Sequence, residues 1–334
     1  MAGADFKPGE LVRAAAVSHR YFIEGKNKKE IAHEFNISRF RVARILERAR
    51  ETGIVSVRIT LPAEIDAEAS DQLRKAYSLR NAIAVATSDE PEESLRSHLG
   101  AVAAGLLSEL VQESDVIGIA WGRTIDATVG ALQTLAPCTV VQLTGTTGHR
   151  SSDAVGTVQR MAALSGQAAY PLFIPLLVDT AEAATALRRQ PIVVRTLQQF
   201  EWLTKAVVAV GSWSPRSSLL FDAMEPAALA EIEDRGVCAD VCGILLDDSG
   251  RIVRSDLANR IVAISASQLK RVPEVVAVAG GRTKLRAMQA LLRAELATSV
   301  ITDAVTARAL VEGASPYRTS RKRRARAVGV RDSR

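Results

Sequence analysis

The chain has 334 residues, 47% of them hydrophobic and 24% charged, which exceeds a typical single domain and leads to an expectation of two. No apolar run approaches a membrane span and the start lacks a basic-then-apolar leader, so a cytoplasmic protein with no membrane partner is expected. The net charge of +6 is uneven: residues 1–60 hold 12 Lys/Arg against 7 Asp/Glu, residues 317–334 hold 8 against 1, and residues 61–316 hold 23 against 29, which directs any nucleic acid to the two ends.

In chain order, Leu11, Ala14, Ala15, Val17, Ser18 and Phe22 predict a first helix over 11–23. Residues 25–49 then read GKNKKEIAHEFNISRFRVARILERA, the layout of a helix-turn-helix. Ile31, Ala32 and Phe35 form one apolar stripe of a short helix from about Asn27, and Asn36-Ile37 interrupts it. Ser38 is placed to cap a second helix whose Val42, Ile45 and Leu46 face inward. That leaves Arg39, Arg41, Arg44 and Arg48 for solvent or phosphate, with Arg39, Phe40 and Arg41 nearest the end that enters a major groove. Ser38, Arg39 and Arg41 are candidates for contact with double-stranded operator DNA at or near the bases, and Lys28, Lys29 and Arg44 for fixing the protein on the phosphate backbone. The bland alternative is a small helical domain with a solvated basic face. Gly53 ends the pattern, and Ile54, Val55, Val57 and Ile59 alternate loosely, as in a short strand or wing. Pro62 closes the unit. Ile65, Ala69, Leu73 and Tyr77, four residues apart, predict an amphipathic helix that links the domains or pairs two chains.

Beyond it, strand-like runs at 82–86, 116–120, 139–143, 207–210, 275–279 and 300–301 alternate with helical patterns at 95–110, 124–134, 152–164, 181–188, 193–203, 284–294 and 304–310. This alternation predicts an α/β fold with a largely parallel sheet. The expected organisation is a helix-turn-helix domain over 1–60, a linker or oligomerisation helix over 61–80, an α/β effector domain over 81–316 and a basic disordered tail over 317–334. Arg321, Lys322, Arg323, Arg324 and Arg326 of that tail add nonspecific phosphate attraction, or simply solvate the terminus.

Three loops after predicted strands concentrate small, polar and cationic residues: GIAWGRT at 118–124, TGTTG at 144–148 and AGGRTK at 279–284. Ligands gather beyond the carboxyl ends of such strands, where glycines let backbone approach an anion and a helix N-terminus favours it. Arg123, Arg282 or Lys284 would complete the charge match, so a phosphorylated small molecule is expected as effector. Each loop alone reads equally as a strand-to-helix connection, and Trp121 equally as a core aromatic. Neither the dinucleotide glycine pattern nor a Walker loop is present.

Asp247-Asp248-Ser249-Gly250 reads as a turn. Asp240, among apolar and small residues, would bond ligand hydroxyls or cap a helix, and Asp303, at a strand end, would face the same crevice. His19, His33, His98 and His149 share no metal spacing. Cys138, Cys238 and Cys242 form no disulfide framework, although Cys238 and Cys242 would approach each other on a helix; they read as buried thiols. No cofactor, metal or catalytic triad is expected.

The pattern resembles the SorC family of sugar-binding bacterial transcriptional regulators. The resemblance spans about 11–312 and rests on GIAWGRT, VVAVAGGRTKLRAMQALLR at 275–293, GVCADVCG at 236–243 and ITDAVTA at 301–307, in order after the helix-turn-helix. It implies an effector domain like those of sugar-phosphate isomerases and deaminases, a phosphorylated sugar or related metabolite as ligand, and assembly into homodimers or homotetramers. By motif matching it implies Gly118, Trp121, Gly122, Arg123, Thr124, Gly280, Gly281 and Lys284 as effector-site residues, joined by Asp240, Thr144, Gly145 and Thr146. Two departures stand out: Ala239 where the family often has Gly, and Ala304 where it often has an acidic residue. The rival readings are an active isomerase or deaminase with an appended DNA-binding domain, which needs a positioned acid–base pair, and a structural oligomerisation module with an empty crevice.

Overall fold

Asn27 and Ser38 divide the amino-terminal sequence into helices. The computed structural model describes residues 7–55, 65–87, 91–146 and 154–314. Asn27 accepts hydrogen bonds from the backbone N–H of Lys29 (2.9 Å) and Glu30 (3.1 Å), and Glu30 accepts one back from Asn27 N–H at 2.8 Å. This reciprocal cap starts α2 (Lys28–Glu34), after α1 (Pro8–Phe22). Asn36, at φ 49°, turns the chain through the left-handed region, and Ser38 Oγ accepts from Arg41 N–H at 3.2 Å to open α3 (Arg39–Glu51). Val17, Ile31, Val42 and Leu46 form the common core of the three helices. Leu11 and Ala15, expected inside, are exposed, whereas Ala14, Val17 and Ser18 of the same helix are buried. The expected strand or wing at Val57 and Ile59, the Pro62 boundary, Thr147, Gly148, His149 and the 317–334 tail lie outside the described residues.

The chain divides into units Met1–Thr60 and Leu61–Arg334. In the second, strands β1 (Asn81–Val85), β2 (Val116–Ile119), β3 (Thr139–Gln142), β4 (Ala169–Tyr170), β5 (Lys205–Ala209), β6 (Gly211–Ser212), β7 (Val237–Val241), β8 (Ile244–Asp247), β9 (Glu274–Val278) and β10 (Ser299–Asp303) build two sheets. Among the described residues the larger is wholly parallel, in the order β1-β10-β9-β5-β2-β3-β4, and the smaller is an antiparallel β6-β7-β8 sheet. Before, between and after the strands lie α4 (Ala67–Tyr77), α5 (Glu92–Leu110), α6 (Arg123–Ala131), α7 (Ala154–Ser165), α8 (Ala181–Arg188), α9 (Pro191–Gln199), α10 (Leu219–Asp222), α11 (Pro226–Asp234), α12 (Asp256–Arg260), α13 (Ala266–Arg271), α14 (Leu285–Arg293) and α15 (Ala304–Gly313).

Alternation assigns the two faces of the parallel sheet to two cores. Val141, Ala206, Val208, Val275 and Ala277 enter one, and Val140, Val207, Val276, Val278 and Ile301 the other. The helix expected to link domains or pair chains is α4. Its Ala69, Leu73 and Tyr77 are buried within this unit, where α4 packs on α15 and β1 and Tyr77 donates from its hydroxyl to Leu310 O at 3.0 Å. The stripe is therefore occupied and not a free pairing face. Cys238 and Cys242 also depart from expectation: they lie on β7 and the turn after it, not on a helix. Burial raises the Cys238 thiol to about 12 and that of Cys138 to about 11, leaving both as inert thiols.

Gly100 sets the approach of α5 to α6. A Cβ there would sit 2.8 Å from the Ala127 carbonyl carbon and 2.9 Å from Thr128 N, both backbone atoms that cannot yield. Gly100→Leu is expected to destabilise the domain by about 1–3 kcal/mol through overpacking, seen as a lower denaturant midpoint. An unchanged midpoint would show that the two helices separate without cost.

Candidate functional site

The order of the larger sheet places a topological switch between β2 and β5: the chain leaves β2 toward β3 and β4, and leaves β5 toward β9 and β10. Ligand crevices form at such switches, beyond the carboxyl ends of the strands. Three connections meet there, Ala120 to Thr124 after β2, Ala209 to Gly211 after β5, and Ala279-Gly280 after β9. Glu92 and Arg96 at the start of α5, Ser217 to Leu219, Asp240, Cys242 and Lys284 close the cavity.

The glycines have separate roles. Gly122 (φ 137°) and Gly281 (φ 92°) adopt backbone conformations that side chains disfavour, and both precede helical turns that have no side-chain cap. α6 thus begins at the cavity wall with no side-chain cap on its first N–H groups, an end that favours anions. Gly280 is small for packing: a Cβ would lie 2.7 Å from Asp303 Oδ2 and from Leu99.

Charge in the cavity is mixed. Lys284 is half-buried, and burial pushes its ammonium down to about 8 while Asp240 and Glu92 oppose that shift. Its Nζ donates to Ser217 O. Arg123 reaches Arg216 O, and Arg96 pairs with Glu92 at 3.3 Å. Asp240 is buried on β7; burial pushes its carboxyl up, against the Ser218 hydroxyl and the Lys284 ammonium. Its Oδ1 has no hydrogen-bond partner, leaving an acceptor next to Ser218 and Gly211.

Of the residues singled out from the sequence, Trp121, Gly122, Arg123, Thr124, Asp240, Gly280 and Lys284 line this cavity, and Gly281 holds the loop beneath it. Trp121 is also a core aromatic, 7% exposed. Gly118, Thr144, Gly145 and Thr146 lie elsewhere. Gly118 is inside β2, where a Cβ would meet Leu143 at 2.5 Å. Thr144 is fully buried and bridges to Ala263. Gly145 lacks a side chain because the Pro175-Leu176 backbone runs against it, and Thr146 borders a second depression with Phe173, Pro175, Met224 and Arg260. Asp303 does not face the crevice as expected. Its Oδ1 accepts from Thr306 N–H at 2.8 Å, capping α15, and its Oδ2 from Gly281 N–H at 2.6 Å, fixing the Gly-Gly loop. Asp247 Oδ1 likewise accepts from Ser249 and Arg251 N–H, both 2.9 Å, to close the expected turn. Sequence reasoning missed Glu92, Arg96, Gly211 and Ser218; only Gly211, a glycine just past a strand, carried a readable signal.

In the amino-terminal unit Lys28, Lys29, Ser38, Arg39, Arg41 and Arg44 are all exposed. Arg20 and Lys26 are not part of that set, since Glu34 binds both, at 2.8 and 2.7 Å, and Glu24 pairs with them as well. Those hydrogen bonds and charges raise Arg20 and Lys26 and lower Glu34. None of Lys28, Lys29, Arg39, Arg41 or Arg44 has an acidic partner among the described residues. The unit thus neutralises Arg20 and Lys26 at its α1–α2 junction and leaves Lys28, Lys29, Arg39, Arg41 and Arg44 without an acidic partner among the described residues.

Comparison with known proteins adds relatives to this geometry. A family model described as "Putative sugar-binding domain" matches residues 62–312. The chain is 27% identical over 308 residues to the uncharacterized transcriptional regulator YjhU of Escherichia coli K12, covering 89% of this chain and 93% of that protein. It is 27% identical over 300 residues to the deoxyribonucleoside regulator of Bacillus subtilis 168, covering 87% and 94%. The crystal structure of the full-length sorbitol operon regulator SorC from Klebsiella pneumoniae superposes with a TM-score of 0.69 at 21% identity, over 91% of this chain and 99% of that one, a likeness of fold.

Proposed function

Because the chain belongs to the SorC family of sugar-binding transcriptional regulators, we propose that it binds operator DNA through α3 and holds a phosphorylated sugar or related metabolite in the cavity at the β2–β5 switch. Membership places it among ligand-responsive regulators; the residues and the phosphate are the finer reading. Lys284, Arg123 and the open N-terminus of α6 receive the phosphate, and Asp240 Oδ1 accepts a sugar hydroxyl. Gly280 lets the loop pack on Asp303 and Leu99 at the cavity edge, and Gly281 supplies its left-handed turn. The observation that carries the reading is the juxtaposition of a half-buried lysine with a buried carboxylate oxygen that lacks a partner.

Binding rather than turnover fits the carboxylates. Asp303 spends both oxygens on the α15 cap and the Gly-Gly loop, so it is not available as the acid–base partner that an isomerase or deaminase would need beside Asp240. The effector acts by favouring one arrangement of a homodimer or homotetramer, and a ligand with equal affinity for all arrangements switches nothing.

Thermal-shift screening of sugars with and without phosphate tests this reading: stabilisation by phosphorylated members alone is expected, and equal stabilisation by unphosphorylated ones would remove the anion site. A pH series is a second check. Deprotonation of Lys284 near 8 removes its charge, so affinity for the phosphorylated ligand is expected to fall from pH 7 to pH 9. The stability contribution of Lys284 in the unliganded protein runs the other way. Its folded-state value lies below its ordinary 10.5, so the unfolded chain binds more protons between about 8 and 10.5 and that contribution rises with pH. An affinity that is flat across pH 7–9 would detach Lys284 from the ligand.

A further inference from the structure

Phe40 is 75% exposed at the second position of α3, a helix whose Val42, Leu46 and Ala49 are buried. The other aromatic rings among the described residues of this unit, Tyr21, Phe22 and Phe35, pack against its core. Among the described residues the Arg39 guanidinium is the one group recorded over the Phe40 ring, 5.6 Å from the centroid. An apolar ring is thus held in water between Arg39 and Arg41, on the helix end that Ser38 caps and therefore fixes. A protein partner would have to cover those two cations along with the ring. The major groove of DNA meets both needs: phosphates match the arginines, and among the base edges thymine presents a methyl group rather than only donors and acceptors.

We propose that Phe40 is a specificity-determining residue that reads thymine by packing on its 5-methyl group. The inference rests on the DNA-binding reading above and adds a base to it. It assigns sequence information to an apolar contact, separate from the arginines.

The test uses the full-length protein and a duplex that it selects from a random pool. Each thymine is replaced in turn by deoxyuridine, which removes only the methyl. At one thymine, or its symmetric pair, the parent is expected to lose about fourfold in affinity per methyl, the value of one buried carbon. Phe40→Ala is expected to bind the selected duplex more weakly and to treat thymine and deoxyuridine there alike. Its salt dependence should remain that of the parent, since no phosphate contact is lost. Phe40→Leu, which keeps an apolar side chain, should retain part of the preference. If Phe40→Ala keeps the full thymine preference, or if the parent ignores every replacement, the assignment to Phe40 is overturned while DNA binding stands. If the parent enriches no duplex, both fall.

Discussion

Lys284→Ala is expected to weaken binding of a phosphorylated sugar by about 30-fold or more, the cost of about 2 kcal/mol or more that follows when one partner of a buried, hydrogen-bonded charge pair is truncated. Operator affinity without ligand should stay close to that of the parent, because Lys284 belongs to the unit over Leu61–Arg334 and the proposed DNA contacts to Met1–Thr60. Calorimetric titration of both proteins at pH 7 decides it. The substitution and a rise in pH remove the same charge, so the variant should also lose the pH dependence of ligand binding that the parent shows as Lys284 deprotonates near 8. A variant that keeps both parental affinity and parental pH dependence would take Lys284 out of the site. Lys284→Met repeats the test with the aliphatic stem in place, separating lost charge from lost packing.

Arg39→Ala and Arg41→Ala should each weaken binding to a selected operator by about 1–3 kcal/mol, roughly 5- to 150-fold, while ligand-induced thermal stabilisation persists. Lys28→Ala and Lys29→Ala differ in kind: they should weaken all duplexes about equally and reduce the salt slope by about one. Fluorescence anisotropy at several salt concentrations, on selected and scrambled duplexes, separates base contact from phosphate contact. Parental affinity in both arginine variants would reject α3 as the reading helix. Arg39 touches the Phe40 ring, so its variant and Phe40→Ala are not expected to add independently.

Local signals made the small unit legible. Asn27 and Ser38 are caps, and a cap's effect is confined to the three residues after it, so their positions set helix starts without tertiary help. The same periodicity placed Val17, Ile31, Val42 and Leu46 inside, but in α1 it also placed Leu11 and Ala15 there, and no described residue covers them. In the large unit six of the seven strands of the parallel sheet stood out as buried apolar runs; β4, two residues long, did not. The β6-β7-β8 sheet did not, because Gly211–Ser212 is too short for a pattern and Val237–Val241 holds Cys238, Ala239 and Asp240, which break an apolar run.

Loops with similar composition then took different fates. Thr144 and Gly145 look as suited to an anion as Gly122 and Gly281, yet the Pro175-Leu176 backbone packs against Gly145, and Thr144 is buried. Asp303 and Asp240 are both buried at or near strand ends, but of the two only Asp240 keeps an oxygen unpartnered. Sequence by itself determined the longer helices, the Ser38 cap, six of the seven parallel strands and the separation of basic ends from an acidic body, since all of these depend on neighbours a few residues away, while the short helices α10 to α13 and the two-residue β4 escaped it. Tertiary structure alone decided which loops share a crevice, because strand order brings β2, β5 and β9 side by side from distant parts of the chain and adds Arg96 and Glu92 from α5. A residue's chemistry is carried by its side chain, but its charge state and its access to a ligand are set by burial, and burial is a property of the packed fold.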